Sequence, residues 1–154
     1  MPVSVSEFRE SLRDAFNDAV LRHRPVVVER RDERAILLGL DDLERIAAAY
    51  EFHPKVFFED GAVTFWLPEF LLYGRGSSYE EAQDDLIDEV RAYLADYLED
   101  SLSYATSPNR AAHLPHVVRG LAADVRGELR EALFAPPRDE QAAPAAAQRA
   151  AAAV

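Results

Sequence analysis

The 154-residue chain has no cysteine, and that absence removes disulfides, thiolate metal sites and cysteine nucleophiles together. No apolar run approaches the roughly 20 residues a spanning helix needs, and the N-terminus lacks the basic-then-apolar pattern of a secretory signal. Both absences, with the missing cysteine, suit a soluble chain in a reducing cytoplasm. Glycine is sparse at six residues, and none falls in a phosphate-cradling loop. The four histidines, His23, His53, His113 and His116, belong to no Ser-His-Asp arrangement. His113 and His116 are separated by Pro115 and have no evident third ligand, so neither a metal site nor a cofactor is expected. Nothing in the chain reads as an enzyme.

What is present is apolar content of 49% and a formal net charge of −11. That content can bury one full core or two small ones. The charge is unevenly placed. Residues 1–50 hold eight Arg against ten Asp and Glu, residues 51–103 hold three cations against thirteen acids, and residues 104–154 hold six Arg against five acids. A near-neutral first segment can still present a basic face to a polyanion, and an acidic middle suits a basic protein partner.

Val3-Ser4-Val5 is β-prone, and Ser6 followed by Glu7 predicts a helix start. Phe8, Leu12, Ala15, Phe16, Ala19 and Val20 recur at helical spacing as one apolar face to about Arg22. Pro25 ends that helix. Val26-Val27-Val28 and Ala35-Ile36-Leu37-Leu38 then form a hairpin across Arg31-Asp32-Glu33, and Asp41 is expected to cap a short helix with Leu43, Ile46 and Ala47.

Beyond His53-Pro54, the runs Val56–Phe58 and Val63–Leu67 flank Asp60-Gly61, a strong hairpin signal. Phe70–Tyr73 can add a third strand, broken by Gly74-Arg75-Gly76. Trp66 is expected in the core of this sheet. Ser78 with Glu81 forms a capping box, opening a helix whose stripe of Ala82, Leu86, Val90, Leu94, Tyr97 and Leu98 runs to about Asp100. Asp84, Asp85, Asp88, Glu89 and Asp96 make its solvated face. Leu114, Val118, Leu121, Val125, Leu129 and Leu133 keep helical spacing over residues 111–135, between Pro115 and Pro136-Pro137. That helix packs on its own domain or on a partner. The Ala-rich stretch 138–154 is expected to be a disordered tail.

Val3-Ser4-Val5-Ser6-Glu7-Phe8-Arg9 with Leu12, Pro25–Arg31 and Leu40–Arg45 resemble the Phd/YefM family of antitoxins across residues 1–50. The resemblance implies a homodimer through that unit and operator-DNA contacts by Arg9, Arg30 and Arg31, to which geometry adds Arg13 and Arg34. Asp32 stands where that family's turn has glycine. It tolerates the left-handed conformation, yet it adds a negative charge beside the DNA face.

Asp60, Gly61, Pro68, Glu69, Gly76, Ser78, Glu80, Glu81 and Ala82 are similar to the pattern of HicB-like domains across residues 54–103. Glu69-Phe70-Leu71-Leu72 replaces that family's Leu-Pro-Gly-Cys step. Together the resemblances imply an α+β chain, with a strand-helix-hairpin-helix unit, then an antiparallel sheet with one long helix, then the C-terminal helix. Their implied function is that of an antitoxin that binds a cognate toxin, a ribonuclease, and represses its own operon. Leu121, Val125 and Leu129 would be the apolar toxin anchors, with Asp84 and Asp88 as the acidic rim. The alternative is a stand-alone interaction or RNA-binding module without a toxin.

Overall fold

The computed structural model describes residues 1–136; the expected tail 138–154 lies outside them. The chain is α+β, with two three-stranded sheets. In the first, β1 (Val3–Ser4) pairs parallel to β2 (Val26–Arg30), and β2 pairs antiparallel to β3 (Glu33–Leu37). The connection from β1 to β2 runs through α1 (Val5–Glu10) and α2 (Leu12–Leu21).

The helix starts earlier than its sequence suggested. Ser4, not Ser6, is the N-cap: its hydroxyl accepts from the Glu7 backbone N–H, and the Glu7 carboxylate accepts from the Ser4 N–H in return. The Ser4 N–H, then the Ser4 hydroxyl, which also donates to that carboxylate at 2.9 Å, hold the Glu7 carboxyl below the usual carboxylate range. The single expected helix is also interrupted at Ser11, whose hydroxyl donates to the Glu7 carbonyl at 2.6 Å, a back-bond that bends helices. The turn residue with positive φ is Arg31 rather than Asp32. Gly39, rather than Asp41, is the N-cap of α3 (Leu40–Ala47), and Asp41 and Asp42 sit in its first turn, where the helix dipole favours them.

The second sheet has the order β4 (Lys55–Glu59), β5 (Ala62–Leu67), β6 (Leu72–Gly76), all antiparallel. Asp60 and Gly61 form its first turn with φ of 49° and 74°, as an Asp-Gly type I′ turn requires. Gly74 and Gly76 do not break the third strand; they lie within it. A Cβ at Gly74 would come 2.5 Å from the Ala82 carbonyl, and one at Gly76 would come 2.5 Å from the Glu81 Cβ. The glycines let α4 (Tyr79–Glu99) lie directly on the strand.

At the start of α4 the Ser78 hydroxyl accepts from the Glu81 N–H, while the Glu81 carboxylate turns to the Ser77 N–H and hydroxyl instead of closing the box on Ser78. The Ser77 hydroxyl, then its backbone N–H, keep that carboxyl acidic. Ala82, Leu86, Ile87, Val90, Leu94 and Tyr97 are buried beneath α4, but Leu98 is exposed.

After α5 (Ser101–Thr106) and a 3-10 turn, the expected C-terminal helix is two helices, α6 (Leu114–Val125) and α7 (Leu129–Phe134). Gly127, with φ of 72°, makes the corner between them. Val117, Ala123, Leu129 and Leu133 join the main core with Val63, Phe65 and Leu67. The first unit has a much smaller core of Ala15, Ala19 and Val26, edged by Val3, Phe8, Val28 and Leu37.

Candidate functional site

The periodic face of the first helix divides in two. Ala15 and Ala19 point into the small core, whereas Leu12, Phe16 and Val20, at i, i+4 and i+8, stand on the surface, Phe16 at 55% exposure. Ile36 of β3 and Ile46 of α3 are exposed as well. A core of two alanines and a valine cannot bring all of these large side chains inside. The unit therefore carries an uncovered apolar stripe on α2.

The five arginines picked out in the sequence lie on this same unit, and all are exposed. Their electrostatic situations differ. Arg30 donates through Nε to Glu33 at 2.8 Å, and Arg34 donates through Nε to Glu29 at 2.7 Å, so hairpin acids partly neutralise both. Arg9 of α1, Arg13 of α2 and Arg31 at the hairpin tip have no acid within ion-pair distance among the described residues. Arg22 and Arg24 are committed elsewhere: both bind the buried Asp18 carboxylate. Burial alone would push that carboxyl up; the hydrogen bonds and charges of Arg24 and Arg22 outweigh it and hold it low.

The acidic face of α4 is also less open than its sequence suggested. Asp84 pairs with Arg130 of α7, Asp85 accepts from the Arg75 N–H at 2.8 Å, and Arg91 bridges toward Asp88 at 3.8 Å and Asp124 at 3.0 Å. Asp88 keeps most of its surface, with a side chain 79% exposed. Of the apolar anchors expected on the C-terminal helix, Leu129 is 1% exposed and sits inside the main core, and Leu121 is half-buried against it. Val125, at 74%, stands in solvent.

Trp66 is not in the core. Val63, Phe65 and Leu67 are the buried face of β5, so strict alternation places Trp66 on the outer face. There it stacks with Tyr73 at 6.3 Å, and the Lys55 ammonium lies 5.2 Å from its ring. The period-2 pattern in Val63–Leu67 carried this signal; the size of Trp66 obscured it.

A cleft of about 600 Å³ opens on the second part of the chain, lined by Phe52, Val56, Phe65, Tyr79, Arg119 and Phe134 among others, with Glu44 of α3 at its edge. Arg119 Nε is buried without a hydrogen-bond partner among the described residues. His113 accepts from the Tyr93 hydroxyl at 2.6 Å through Nδ1. Burial, then the positive charge of Arg110, then His116 push the His113 pKa down, favouring the neutral ring that can accept; burial raises the Tyr93 pKa. Among the described residues, no group of three or more His, Asp or Glu is placed to hold a metal ion, and no helix is long and apolar enough to cross a membrane.

An α+β chain with an uncovered apolar stripe beside unpaired arginines has the form of a binding protein. Residues 1–134 match the PHD-like family, described as antitoxin of toxin-antitoxin, RelE/RelB, TA system, and the chain belongs to that family. Its fold is similar to a crystal structure from Syntrophomonas wolfei subsp. wolfei, described as the antitoxin part of a candidate toxin/antitoxin system. The TM-score is 0.74 at 21% identity, covering 87% of this chain and 96% of that one. No curated protein matches the chain. It is thus an antitoxin of a toxin-antitoxin system, and the family implies a cognate toxin as partner.

Proposed function

We propose that this antitoxin neutralises its toxin by direct binding and, as a homodimer, represses its own operon. In this reading residues 1–50 are a Phd/YefM-like dimerisation and DNA-binding unit. Residues 54–103 are a HicB-like domain that faces the toxin together with the helices of 111–135. The observation that carries the reading is the surface of the first unit. An apolar stripe of Leu12, Phe16 and Val20 needs a partner, and a second copy would place two sets of Arg9, Arg13 and Arg31 on one assembly, as a two-fold operator requires. Arg30 and Arg34 would reach phosphates only by exchanging Glu33 and Glu29 for them.

The toxin is read as a ribonuclease because such an enzyme must hold a polyanion and is usually basic. The acidic middle segment would speed its capture. Val125 and Asp88 are the surface members of the proposed contact, while Leu121 and Leu129 support it from beneath. The test is co-expression of the full chain with the toxin gene beside it, scored by growth, alongside binding of the purified chain to its upstream promoter. Growth rescue with promoter binding is expected; absent rescue would remove the toxin contact, and absent promoter binding would remove the autorepressor.

One observation favours a second reading, an RNA-binding module without a toxin: Trp66, Tyr73 and Lys55 form an aromatic and cationic outer sheet face, of the kind on which bases stack. Single-stranded RNA binding that Trp66→Ala abolishes, with no growth rescue by the unaltered chain, would favour this reading.

A further inference from the structure

We propose that β4 is a self-pairing edge: a second copy of the chain adds its own β4 antiparallel, joining two three-stranded sheets into one of six strands. The inference rests on residues 54–67 and is independent of the dimerisation assigned to residues 1–50.

β4 pairs with β5 alone, its other edge is open among the described residues, and every residue from Lys55 to Glu59 is exposed. Cross-strand partners share a face, so Val56 and Phe58 lie on the same face as Phe65 and Val63. Phe65 and Val63 are buried, yet Phe58 is 69% exposed. α4 packs on β6 and β5 and does not extend over β4. The sheet thus projects one strand, Val56-Phe57-Phe58, beyond the helix that should cover it. Such an edge is a ready template for another strand.

The hydrogen-bonding parity of that edge follows from the turn. In a two-residue hairpin the pair flanking the turn is the hydrogen-bonded one, here Glu59 and Ala62. Lys55, Phe57 and Glu59 therefore spend their backbone groups on β5, and Val56 and Phe58 present theirs to the open edge. Pro54 just before them has no N–H to add.

The occupant is identified by charge. The strand reads Lys-Val-Phe-Phe-Glu, and Lys55 is the chain's one lysine. An antiparallel copy centred on Phe57 sets Lys55 against Glu59 of the second copy and Glu59 against its Lys55. Val56 and Phe58 face one another across the axis and exchange their free N–H and C=O groups, and the two Phe57 rings meet on it. Registers centred on Lys55 or on Glu59 would instead oppose like charges. Opposite charges at the ends of the strand, together with the parity of its free backbone groups, fit a copy of itself. Because the pairing is isologous, it closes at two copies and leaves no β4 edge for growth.

Cysteine chemistry gives a direct test, since the chain has none of its own. Two Phe57 positions in a non-hydrogen-bonded pair would have Cα atoms about 4.5 Å apart, within the roughly 4.4–6.8 Å that a disulfide spans. Full-length Phe57→Cys should cross-link to a covalent dimer under mild oxidation, and Leu98→Cys, exposed on α4, should not. Lys55→Glu should halve the native mass by light scattering, from tetramer to dimer or from dimer to monomer, so the outcome does not depend on the N-terminal interface. Lys55→Glu with Glu59→Lys should restore the mass. The proposal is overturned if Phe57→Cys cross-links no better than Leu98→Cys, as when a toxin strand or the segment after Pro136 occupies the edge, or if the double exchange fails to restore what the single one removes.

Discussion

Arg126 Nε lies 2.7 Å from Glu44 Oε1, and the same guanidinium reaches Asp41. One side chain at the corner between α6 and α7 thus holds the first turns of α3, and with them the N-terminal unit, against the C-terminal helices. The Asp41 hydrogen bond is the main reason its pKa is raised. Arg126→Ala should speed amide exchange in α3 while leaving the α4 interior, under Leu86 and Val90, protected. Equal exchange in α3 of both proteins would show that packing alone seats that helix.

Gly74 and Gly61 should respond to alanine for different reasons. At Gly74 the new methyl meets the backbone of α4, which must shift away from β6, so a loss of about 1–3 kcal/mol or more is expected. At Gly61 nothing lies within 4 Å, but φ is 74°, and the left-handed conformation costs alanine about 1–2 kcal/mol. Urea unfolding monitored by circular dichroism measures both. A neutral Gly74→Ala would mean that α4 does not lie on the strand as described.

Acid should destabilise the protein in two steps. The His113 pKa is lowered in the fold, so below the ordinary value of about 6.5 the unfolded chain binds the proton first, and stability falls as pH drops. Above that value both states are neutral and the term vanishes. Glu7, Asp18 and Glu81 have lowered pKa values too; their contribution is present above about 4 and is lost below it. His113→Gln should reduce the first decline and leave the second. An unchanged melting profile between pH 7 and 5 would remove His113 from the account.

If Arg9, Arg13 and Arg31 contact phosphates, promoter affinity should fall steeply with salt, with a slope of about −0.9 per phosphate neutralised. Replacing Arg9 and Arg31 with alanine should flatten that slope while the circular dichroism spectrum is unchanged. Arg34→Ala should matter less, because Glu29 already holds its guanidinium.

Local signals were legible wherever one force decides local structure. Asp60-Gly61 fixed its hairpin, Ser78 its helix start, and the 2-residue and 3.6-residue periods located the strands and helices. Where two forces compete, the sequence was ambiguous. Leu12, Phe16 and Val20 share a helix with Ala15 and Ala19, and only the size of the available core decides which of them face inward. Gly74 and Gly76 look like strand breakers until a helix needs their space. Of the candidate site, the exposure of all five arginines could be foreseen, but not their pairing, because Glu29 and Glu33 reach Arg34 and Arg30 only once the hairpin register is set.

Val125 and Leu129 separate the fold of the C-terminal helices from the proposed toxin contact. They are four residues apart, and one uninterrupted helix would set them on the same face. The turn at Gly127 instead leaves Val125 in solvent and sends Leu129 into the core. Leu129→Ala should therefore cost about 2–5 kcal/mol of stability and lower toxin neutralisation only by depleting folded antitoxin. Val125→Asp should leave stability within about 0.5 kcal/mol. It should still weaken toxin affinity about tenfold or more, since it puts a charge where a desolvated contact is expected, a change of about 1.4 kcal/mol. Calorimetric titration of the purified toxin, with thermal melts of each variant, distinguishes the two effects. Unchanged toxin affinity in Val125→Asp would move the contact off the α6 surface, and the exposed Asp88 side of α4 would be the next place to look.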